Sequence, residues 1–242
     1  MHQVPPSSGE ALNNRTGSGG RRPTDNSVTI TRLRMARDDV ASRYNQIYSN
    51  DPNAFAQEPL PLVTKLASLL SPDCGVWDIG AGQGRNSIYL AKRGCHVRAT
   101  EISQKAAELL AKRARDAGVT LDIVLVDALM DKPPSHYDAI LCVHVLHHLN
   151  KKDAISVLLK MQRYTKKGGY NLITAFTQDG DFFRQNSATT RFYPSSKMAL
   201  EQLYPEWRVI KSFEKQSLAR ARREDGSPYE NISARVLLQR TA

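Results

Sequence analysis

The sequence has few cysteines, no long hydrophobic run and no recognisable secretory signal, and each absence narrows what the protein can be. Its three cysteines, Cys74, Cys95 and Cys142, are an odd number at wide spacing, which is not typical of a disulfide framework. No stretch of 18 or more apolar residues is present, so no membrane-spanning helix is predicted. The N-terminus lacks the charged-then-apolar order of a signal peptide. We therefore predict reduced, packed thiols in a soluble protein of the cytoplasm that has no membrane partner.

Acidic residues are also comparatively scarce, and the formal net charge is +10. Such an excess suits nucleic acid, anionic lipid or an anionic small molecule. The positive charge is spread along the chain, and only short N-terminal Arg pairs and the stretch RARRED at 220–225 interrupt this even distribution. A spread basic surface binds polyanions without selecting among them, so no specific nucleic-acid partner is expected.

Composition divides the chain into two parts. Residues 1–28 are rich in Ser, Gly, Asn and Pro and have almost no apolar side chain to bury, which predicts a disordered leader. This leader is either a tolerated tail or a segment that directs export of the protein. Residues 29–242 are enough for one sizeable core but few for two, so we expect a single domain.

The hydrophobic pattern of that domain alternates between strands and helices. Helices are predicted at 37–50, 60–70, 85–93, 103–117 and 151–164, the last two ending near Gly118 and Gly168-Gly169. Strands are predicted at 75–79, 96–101, 121–127, 137–143, 170–177, 207–217 and 231–240, the last two joined by a hairpin turn at 223–230. This order indicates an α/β fold with an open, doubly wound, mostly parallel sheet and a terminal hairpin.

The stretch VWDIGAGQGRNS at 76–87 carries the strongest functional signal. Gly80, Gly82 and Gly84 follow a predicted strand, where missing Cβ atoms let a ligand approach the backbone. The third glycine comes one residue earlier than in the dinucleotide fingerprint, and Arg85 stands where that fingerprint needs glycine, which counts against NAD. The acidic Asp78 beside the loop suits a ligand with positive charge, such as the ammonium and sulfonium of S-adenosylmethionine.

Two further acids end the next two strands. Glu101 lies at the end of the second strand, where an acid accepts hydrogen bonds from ribose hydroxyls. Asp127 ends the third strand and is expected to accept from an adenine amino group, with backbone contact from Ala128. Acids at three successive strand ends predict a bound nucleoside, although each acid alone is also an ordinary strand-end residue.

These motifs resemble a known family. WDIGAGQG, ATE and LVDA are similar to class I S-adenosylmethionine-dependent methyltransferases, and GQGRNSIYLAKRG with MQRYTKKGGYNLITAF closely resembles the tellurite-resistance methyltransferases of the TehB type. The likeness extends from about Tyr44 to the C-terminus. It implies a Rossmann-like seven-stranded sheet with a reversed last strand, S-adenosylmethionine as cofactor, and methyl transfer to a small, anionic acceptor such as a tellurium or selenium oxyanion.

Candidate catalytic residues lie in two places. In VHVLHHLN at 143–150, His147 and His148 are expected either to face the transferring methyl group or to satisfy backbone groups of the turn. His144 and His148 have a spacing that ligates metal on a helix, but the run begins as a strand, so no metal site is expected. In related proteins a late His-Arg pair precedes an acidic residue and a Gly turn; the His is absent here, and Arg220 or Arg222 are the expected anion donors.

The N-terminal helix is expected to act as a lid, with two tyrosines at helical spacing on one face that exclude water from the cofactor. The tyrosines also have a simpler explanation as core or rim residues. The complete predicted cofactor-binding set is Tyr44, Tyr48, Asp78, Gly80, Ala81, Gly82, Gly84, Arg85, Asn86, Glu101, Ile102, Asp127, Ala128 and Val143.

Other functions stay open at this stage. A thiol or specialised-metabolite methyltransferase would use the same cofactor loop. An RNA-binding methyltransferase would use the basic charge, but the sequence has no Asn-Pro-Pro-aromatic motif and no appended RNA-binding module. A regulator that binds the cofactor without catalysis is a further alternative, and the sequence does not indicate an oligomeric state.

Overall fold

The computed structural model describes residues 29–32 and 37–241, without the side chains of Arg32, Arg220 and Ala221. The leader predicted at 1–28 lies outside the described residues. The described strands are β1 (Ile30–Arg32), β2 (Gly75–Ile79), β3 (His96–Glu101), β4 (Asp122–Leu125), β5 (Tyr137–Val143), β6 (Thr165–Phe176), β7 (Trp207–Arg222) and β8 (Pro228–Arg240). The helices are α1 (Asp38–Asn50), α2 (Pro61–Ala67), α3 (Arg85–Ala91), α4 (Gln104–Asp116), α5 (Lys151–Tyr164), α6 (Asp181–Asn186) and α7 (Lys197–Glu201), with a 3-10 turn at Leu146–His148.

All strands of the described part form one sheet in the order β1-β4-β3-β2-β5-β6-β8-β7. The first six strands of that order pair in parallel, and β8 pairs antiparallel with both β6 and β7. The doubly wound α/β fold with a reversed C-terminal strand is therefore confirmed. The described part has eight strands rather than seven, because β1 adds a short parallel edge to β4.

The sequence pattern located the central elements better than the peripheral ones. The bounds of β2, β3, β5 and α5 agree with the prediction. The prediction that α5 is capped by Gly168-Gly169 was wrong, because α5 ends at Tyr164 and both glycines lie inside β6. The two short helices α6 and α7 were not predicted, since six and five residues are too few for a helical period to be visible.

Helices cover both faces of the sheet. Alternate side chains of one strand point to opposite faces, so Val76 packs in the core under α2, α3 and α4, while Trp77 packs in the core under α5 and α7. All three cysteines are buried free thiols, as predicted. None of the helices in the described ranges is long and apolar enough to cross a membrane. Since the parallel strands share one direction, their carboxyl ends meet at a single edge, and the loops that follow them gather there.

Candidate active site

A cavity of about 680 Å³ lies at the carboxyl edge of the parallel strands. Its walls come from the loops after β2, β3, β4 and β5, from α1 and α6, and from the β7–β8 hairpin. Its volume is within the range of about 300–1,000 Å³ that is typical of small-molecule sites. A second cavity of about 460 Å³ near Trp207 and Arg240 contains none of the residues predicted from sequence.

The glycine loop after β2 is packed closely on both sides. A Cβ on Gly80 would lie 2.4 Å from Val145 Cγ2, and one on Gly84 would lie 1.9 Å from Leu110 Cδ1. A Cβ on Gly82 would lie 2.9 Å from the Tyr48 hydroxyl. Gly80 and Gly82 line the cavity, whereas Gly84 begins α3 and packs against α4. The glycines are therefore needed for contact with the protein itself as well as for backbone exposed to a ligand.

Glu101 is held at the end of β3 by three backbone groups. Its Oε2 accepts a hydrogen bond from Gly82 N at 2.8 Å, and its Oε1 accepts from Ile102 N and Ser103 N, both at 2.9 Å. A carboxylate has about four lone-pair sites, so one site on Oε2 remains for a ligand. Burial raises the pKa of Glu101, although these backbone bonds oppose that shift. Glu101 lines the cavity and can accept from a hydroxyl.

Three polar residues in or next to the glycine loop differ in whether their side-chain oxygens are free to accept a hydrogen bond from a ligand. Asp78 does not line the cavity; it accepts a hydrogen bond from Ser87 Oγ at 2.6 Å, and burial raises its pKa to about 7. Asn86 lines the cavity, but its Oδ1 accepts from Leu60 N at 3.1 Å. Gln83 was missed by the sequence prediction. Its buried Oε1 has no partner among the described residues, which makes it an available acceptor at the cavity wall.

Asp127 lies behind the cavity rather than at its surface. Arg37 Nε and one terminal nitrogen of Arg37 donate to the two oxygens of Asp127 at 2.8 and 2.7 Å, and Leu129 N adds a third bond at 2.9 Å. Asp127 is fully buried, so Arg37 is the group at this position that lines the cavity. The expected bond from Asp127 to an adenine amino group is thus replaced by an ion pair with the partly buried Arg37, while Ala128 still contributes to the wall.

Three histidines after β5 form one group in the cavity wall. The rings of His147 and His148 are 4.1 Å apart, and those of His144 and His147 are 6.1 Å apart. His148 Nε2 and the Tyr44 hydroxyl of α1 are hydrogen-bonded at 2.7 Å. Nδ1 of His144 and Nδ1 of His147 are buried and have no hydrogen-bond partner in the described part of the chain. His144 also has a φ of 57°, a strained conformation of the kind that concentrates at functional sites.

The histidine cluster is held neutral by burial and by surrounding arginines. Burial, and then the charges of Arg235 and Arg85, lower the pKa of His144 from 6.5 to about 3. Burial, and then Arg191, Arg43 and Arg37, lower the pKa of His148 to about 3. The pKa of His147 is lowered well below its ordinary value, again mainly by burial. The cluster therefore lies in a region of positive potential.

The β8 side of the cavity is aromatic and basic. Phe176 and Phe182 stack with ring centroids 4.7 Å apart, and His147 lies 4.8 Å from Phe176. Arg235 of β8 is buried and lines the cavity, as does Tyr229 nearer the start of the same strand. The sequence prediction missed Arg235. A usable signal was present, because Asn231, Ser233 and Arg235 alternate with apolar residues in a strand that is covered on both sides.

Of the two arginines predicted as anion donors at the end of β7, the one whose side chain the structure describes does not reach the cavity. Arg222 is exposed and does not line it, and the side chain of Arg220 is not described. The neighbouring Arg223 forms an ion pair with Asp181 of α6. The predicted residues that line the cavity are Tyr44, Tyr48, Gly80, Ala81, Gly82, Arg85, Asn86, Glu101, Ile102, Ala128, Val143, His147 and His148.

Comparison with known proteins adds independent information. The family model for the tellurite resistance protein TehB matches residues 59–227. The probable S-adenosyl-L-methionine-dependent methyltransferase TehB of Haemophilus influenzae (strain 10810) is 29% identical over 148 residues, a match that covers 61% of this chain and 50% of that protein. This chain thus spans about half the length of that relative.

Solved structures agree with this family. The crystal structure of TehB from Haemophilus influenzae has a TM-score of 0.67 and 25% identity, covering 82% of this chain and 67% of that one. The N-methyltransferase NodS from Bradyrhizobium japonicum WM9, solved with S-adenosyl-L-homocysteine, has a TM-score of 0.63 over 85% of this chain and all of that one. At 13% identity the second likeness concerns the fold alone.

Proposed function

The chain belongs to the TehB family of tellurite resistance proteins, and from that premise we propose that it transfers a methyl group from S-adenosylmethionine to a small, anionic acceptor. Tellurium and selenium oxyanions are the first candidates for the acceptor. The observation that carries the proposal is that two kinds of group share one cavity. Unused acceptor atoms lie at the glycine loop, which we call the cofactor end, and arginine charge acts on the neutral histidines that follow β5, which we call the acceptor end.

The cofactor end has groups that match a charged nucleoside with an amino-acid tail. Glu101 has a free lone-pair site for a ribose hydroxyl, and Gln83 Oε1 is a buried acceptor that an ammonium would satisfy. Arg85, at the start of α3, is the donor for a carboxylate. S-adenosylmethionine would supply a methyl group already activated on a sulfonium. These residues would hold and orient it so that the methyl group faces the histidine cluster.

The described histidines of the acceptor end are poor general bases. A histidine with a pKa near 3 takes up a proton poorly at neutral pH, so His144 and His148 would not activate a hydroxyl or an amine. Selenite and tellurite need no such base, because the chalcogen carries a lone pair that attacks the methyl carbon directly. The protein then has to provide alignment, exclusion of water and positive potential. Tyr44, Tyr48 and Phe55 cover the cavity, with ring centroids 5.5–6.3 Å apart.

A thiol or a specialised metabolite is the second candidate acceptor. It is favoured by the aromatic wall of Phe176, Phe182 and Tyr229, which offers more apolar contact than a compact oxyanion can use. A thiol enters the reaction as its thiolate, and positive potential favours the thiolate form. Both candidates therefore share a negatively charged nucleophile.

The decisive experiment incubates the purified protein with methyl-labelled S-adenosylmethionine and a panel of acceptors, and collects volatile products. Selenite, tellurite, small thiols, amines and catechols form the panel. Methylation of the chalcogen anions or thiols, with the amines unchanged, is the expected result. Methylation of amines alone would contradict the proposal. Retention on RNA that falls with salt would favour an RNA substrate, and cofactor binding without any turnover would favour a regulator.

A further inference from the structure

Arg235 is an unusual residue for its position in the sheet. It lies in β8, between β6 and β7, opposite Thr174 on one side and Phe213 on the other. Only 7% of its surface is exposed, and it lines the cavity. The same face of β8 carries Asn231 and Ser233, whereas Ala234 and Val236 enter the apolar core on the other face. A polar stripe in a buried strand therefore leads to the cavity.

The guanidinium of Arg235 has few partners within the described part of the chain. Its Nε donates to Ser233 Oγ at 3.2 Å, and no described carboxylate forms an ion pair with it. An arginine has five N–H donors, so most of its donor capacity is unused. Burial, followed by the like charge of Arg85, lowers the pKa of Arg235. A buried cation without a counterion is costly, and a bound anion would remove that cost.

Two arginines of like charge act on each other in one cavity, which suggests two separate anions. Arg85 lies beside the glycine loop, where the carboxylate of the cofactor's amino-acid tail would lie. Arg235 lies on the histidine side, and its charge acts on His144 more strongly than that of Arg85. Arg235 and His144 are also linked through Thr174, which pairs with Arg235 in the sheet. The backbone oxygen and Oγ1 of Thr174 accept from His144 N at 3.0 and 3.1 Å.

We propose that Arg235 is the residue that binds the anionic group of the methyl acceptor, holding a compact oxyanion or thiolate against the histidine cluster and Phe176. The proposal rests on the methyltransferase function proposed above and deepens it. It assigns recognition of the acceptor to the buried face of β8 rather than to the exposed end of β7, where Arg222 lies. Arg235 would act by a forked, charge-assisted hydrogen bond, so a lysine would replace it only in part.

The test is a calorimetric titration of the full-length protein, saturated with S-adenosylhomocysteine, against sodium selenite and separately against sodium acetate. We expect at least one of these anions to bind the wild type, with affinity at least tenfold weaker in Arg235→Gln and two- to fivefold weaker in Arg235→Lys. Arg208→Gln is the matched control, because Arg208 lies in the neighbouring β7, is exposed and does not line the cavity. Its affinity for both anions should equal that of the wild type.

Binding of S-adenosylhomocysteine, measured in the same experiment, separates the possible failures. Equal cofactor affinity in wild type, Arg235→Gln and Arg208→Gln supports the proposal and shows that the variants fold. Anion binding that survives Arg235→Gln, or anion binding absent from the loaded wild type, overturns it. Loss of cofactor affinity in Arg235→Gln with anion affinity retained would assign Arg235 to the cofactor's carboxylate instead. If Arg235→Gln does not fold, the anion affinity of Arg235→Lys is compared with that of Arg208→Lys. A two- to fivefold loss in Arg235→Lys alone supports the proposal, and equal affinities overturn it. A wild type that does not bind S-adenosylhomocysteine overturns the proposed function first.

Discussion

At the scale of single residues, Glu101 serves both the backbone of the site and the proposed ligand. It accepts from Gly82 N, Ile102 N and Ser103 N, and so fixes the glycine loop to the turn after β3. Glu101 is buried and lines the cavity, so its remaining lone-pair site is available to a ligand there. A change at this residue should therefore affect the loop and the ligand together.

Glu101→Ala should weaken binding of S-adenosylhomocysteine about 10- to 100-fold, which corresponds to ~1–3 kcal/mol for the loss of charge-assisted hydrogen bonds. It should also lower the free energy of unfolding, because three backbone N–H groups lose their acceptor. Calorimetry and urea denaturation measure the two effects. Glu108→Ala, which removes an exposed carboxylate from α4, is the control. Wild-type cofactor affinity in Glu101→Ala would rule out its role at the ribose.

At the scale of elements, the glycine loop and α1 close the cavity from two sides. Gly84 joins the loop to α3 with a φ of 89° and leaves no space beside Leu110. Helix α1 is fastened to α4 by Asn45, whose Oδ1 accepts from Ser103 Oγ at 2.8 Å and from Lys105 N at 3.0 Å. Helix α1, the predicted lid, therefore rests on the same turn that Glu101 stabilises.

Gly84→Ala should destabilise the protein by about 2–5 kcal/mol, the sum of a left-handed backbone strain and overpacking against Leu110. Gly94→Ala is a close control, because Gly94 also has a φ of 89° but has no atom within 4 Å of the added Cβ. We expect it to cost only the strain of about 1–2 kcal/mol. Urea denaturation of the two variants measures the difference. Equal losses would show that the contact with Leu110 relaxes freely.

Tyr44→Phe should speed dissociation of S-adenosylhomocysteine about 3- to 10-fold, because it removes the hydrogen bond between the Tyr44 hydroxyl and His148 and leaves His148 Nε2 without that partner. Stopped-flow displacement measures this rate. Burial raises the pKa of Tyr44 to about 12, so the phenol is protonated at neutral pH and no charge is removed by the change. Tyr89→Phe, outside the cavity on α3, is the control. An unchanged dissociation rate would mean that α1 does not gate the site.

At the scale of the whole molecule, buried titratable groups act on stability in opposite directions. The folded state keeps His144, His147 and His148 neutral where the unfolded chain is protonated, so they make stability fall as pH drops below 6.5. Burial raises the pKa of Asp78 from 3.8 to about 7, so this acid makes stability fall as pH rises between those two values, and the raised pKa of Glu101 acts in the same direction. The two groups of residues oppose each other in the pH dependence of stability, and single variants separate their contributions.

His144→Asn should lose less stability than the wild type on acidification. Between pH 7.5 and 5, one histidine with an unfolded pKa of 6.5 and a folded pKa near 3 contributes a loss of about 2 kcal/mol, at 1.36 kcal/mol per pH unit. Urea denaturation at the two pH values should show this difference between wild type and variant. Asn tolerates the left-handed backbone at this position. His96→Asn, which removes an exposed ring, is the control. Parallel profiles would contradict a neutral, buried His144.

The sequence alone determined the order of the longer strands and helices, the doubly wound sheet and the place of the glycine loop, but not β1, α6 or α7. Hydrophobic period, turn residues and glycine spacing are set within a few neighbouring positions, so β2, β3, β5 and α5 were located by them. The family resemblance, carried by the same local motifs, is confirmed by the match over residues 59–227.

Only the tertiary structure decided which charges face the cavity. Arg37 reaches Asp127 across 90 positions of the chain, and Tyr44 reaches His148 across 104. Such pairs depend on how separately formed elements pack, and no local pattern encodes that packing. The same reason explains Arg235, which is one basic residue among many in the sequence. It becomes a candidate anion-binding residue because β8 is inserted between β6 and β7 and buries its guanidinium at the cavity wall.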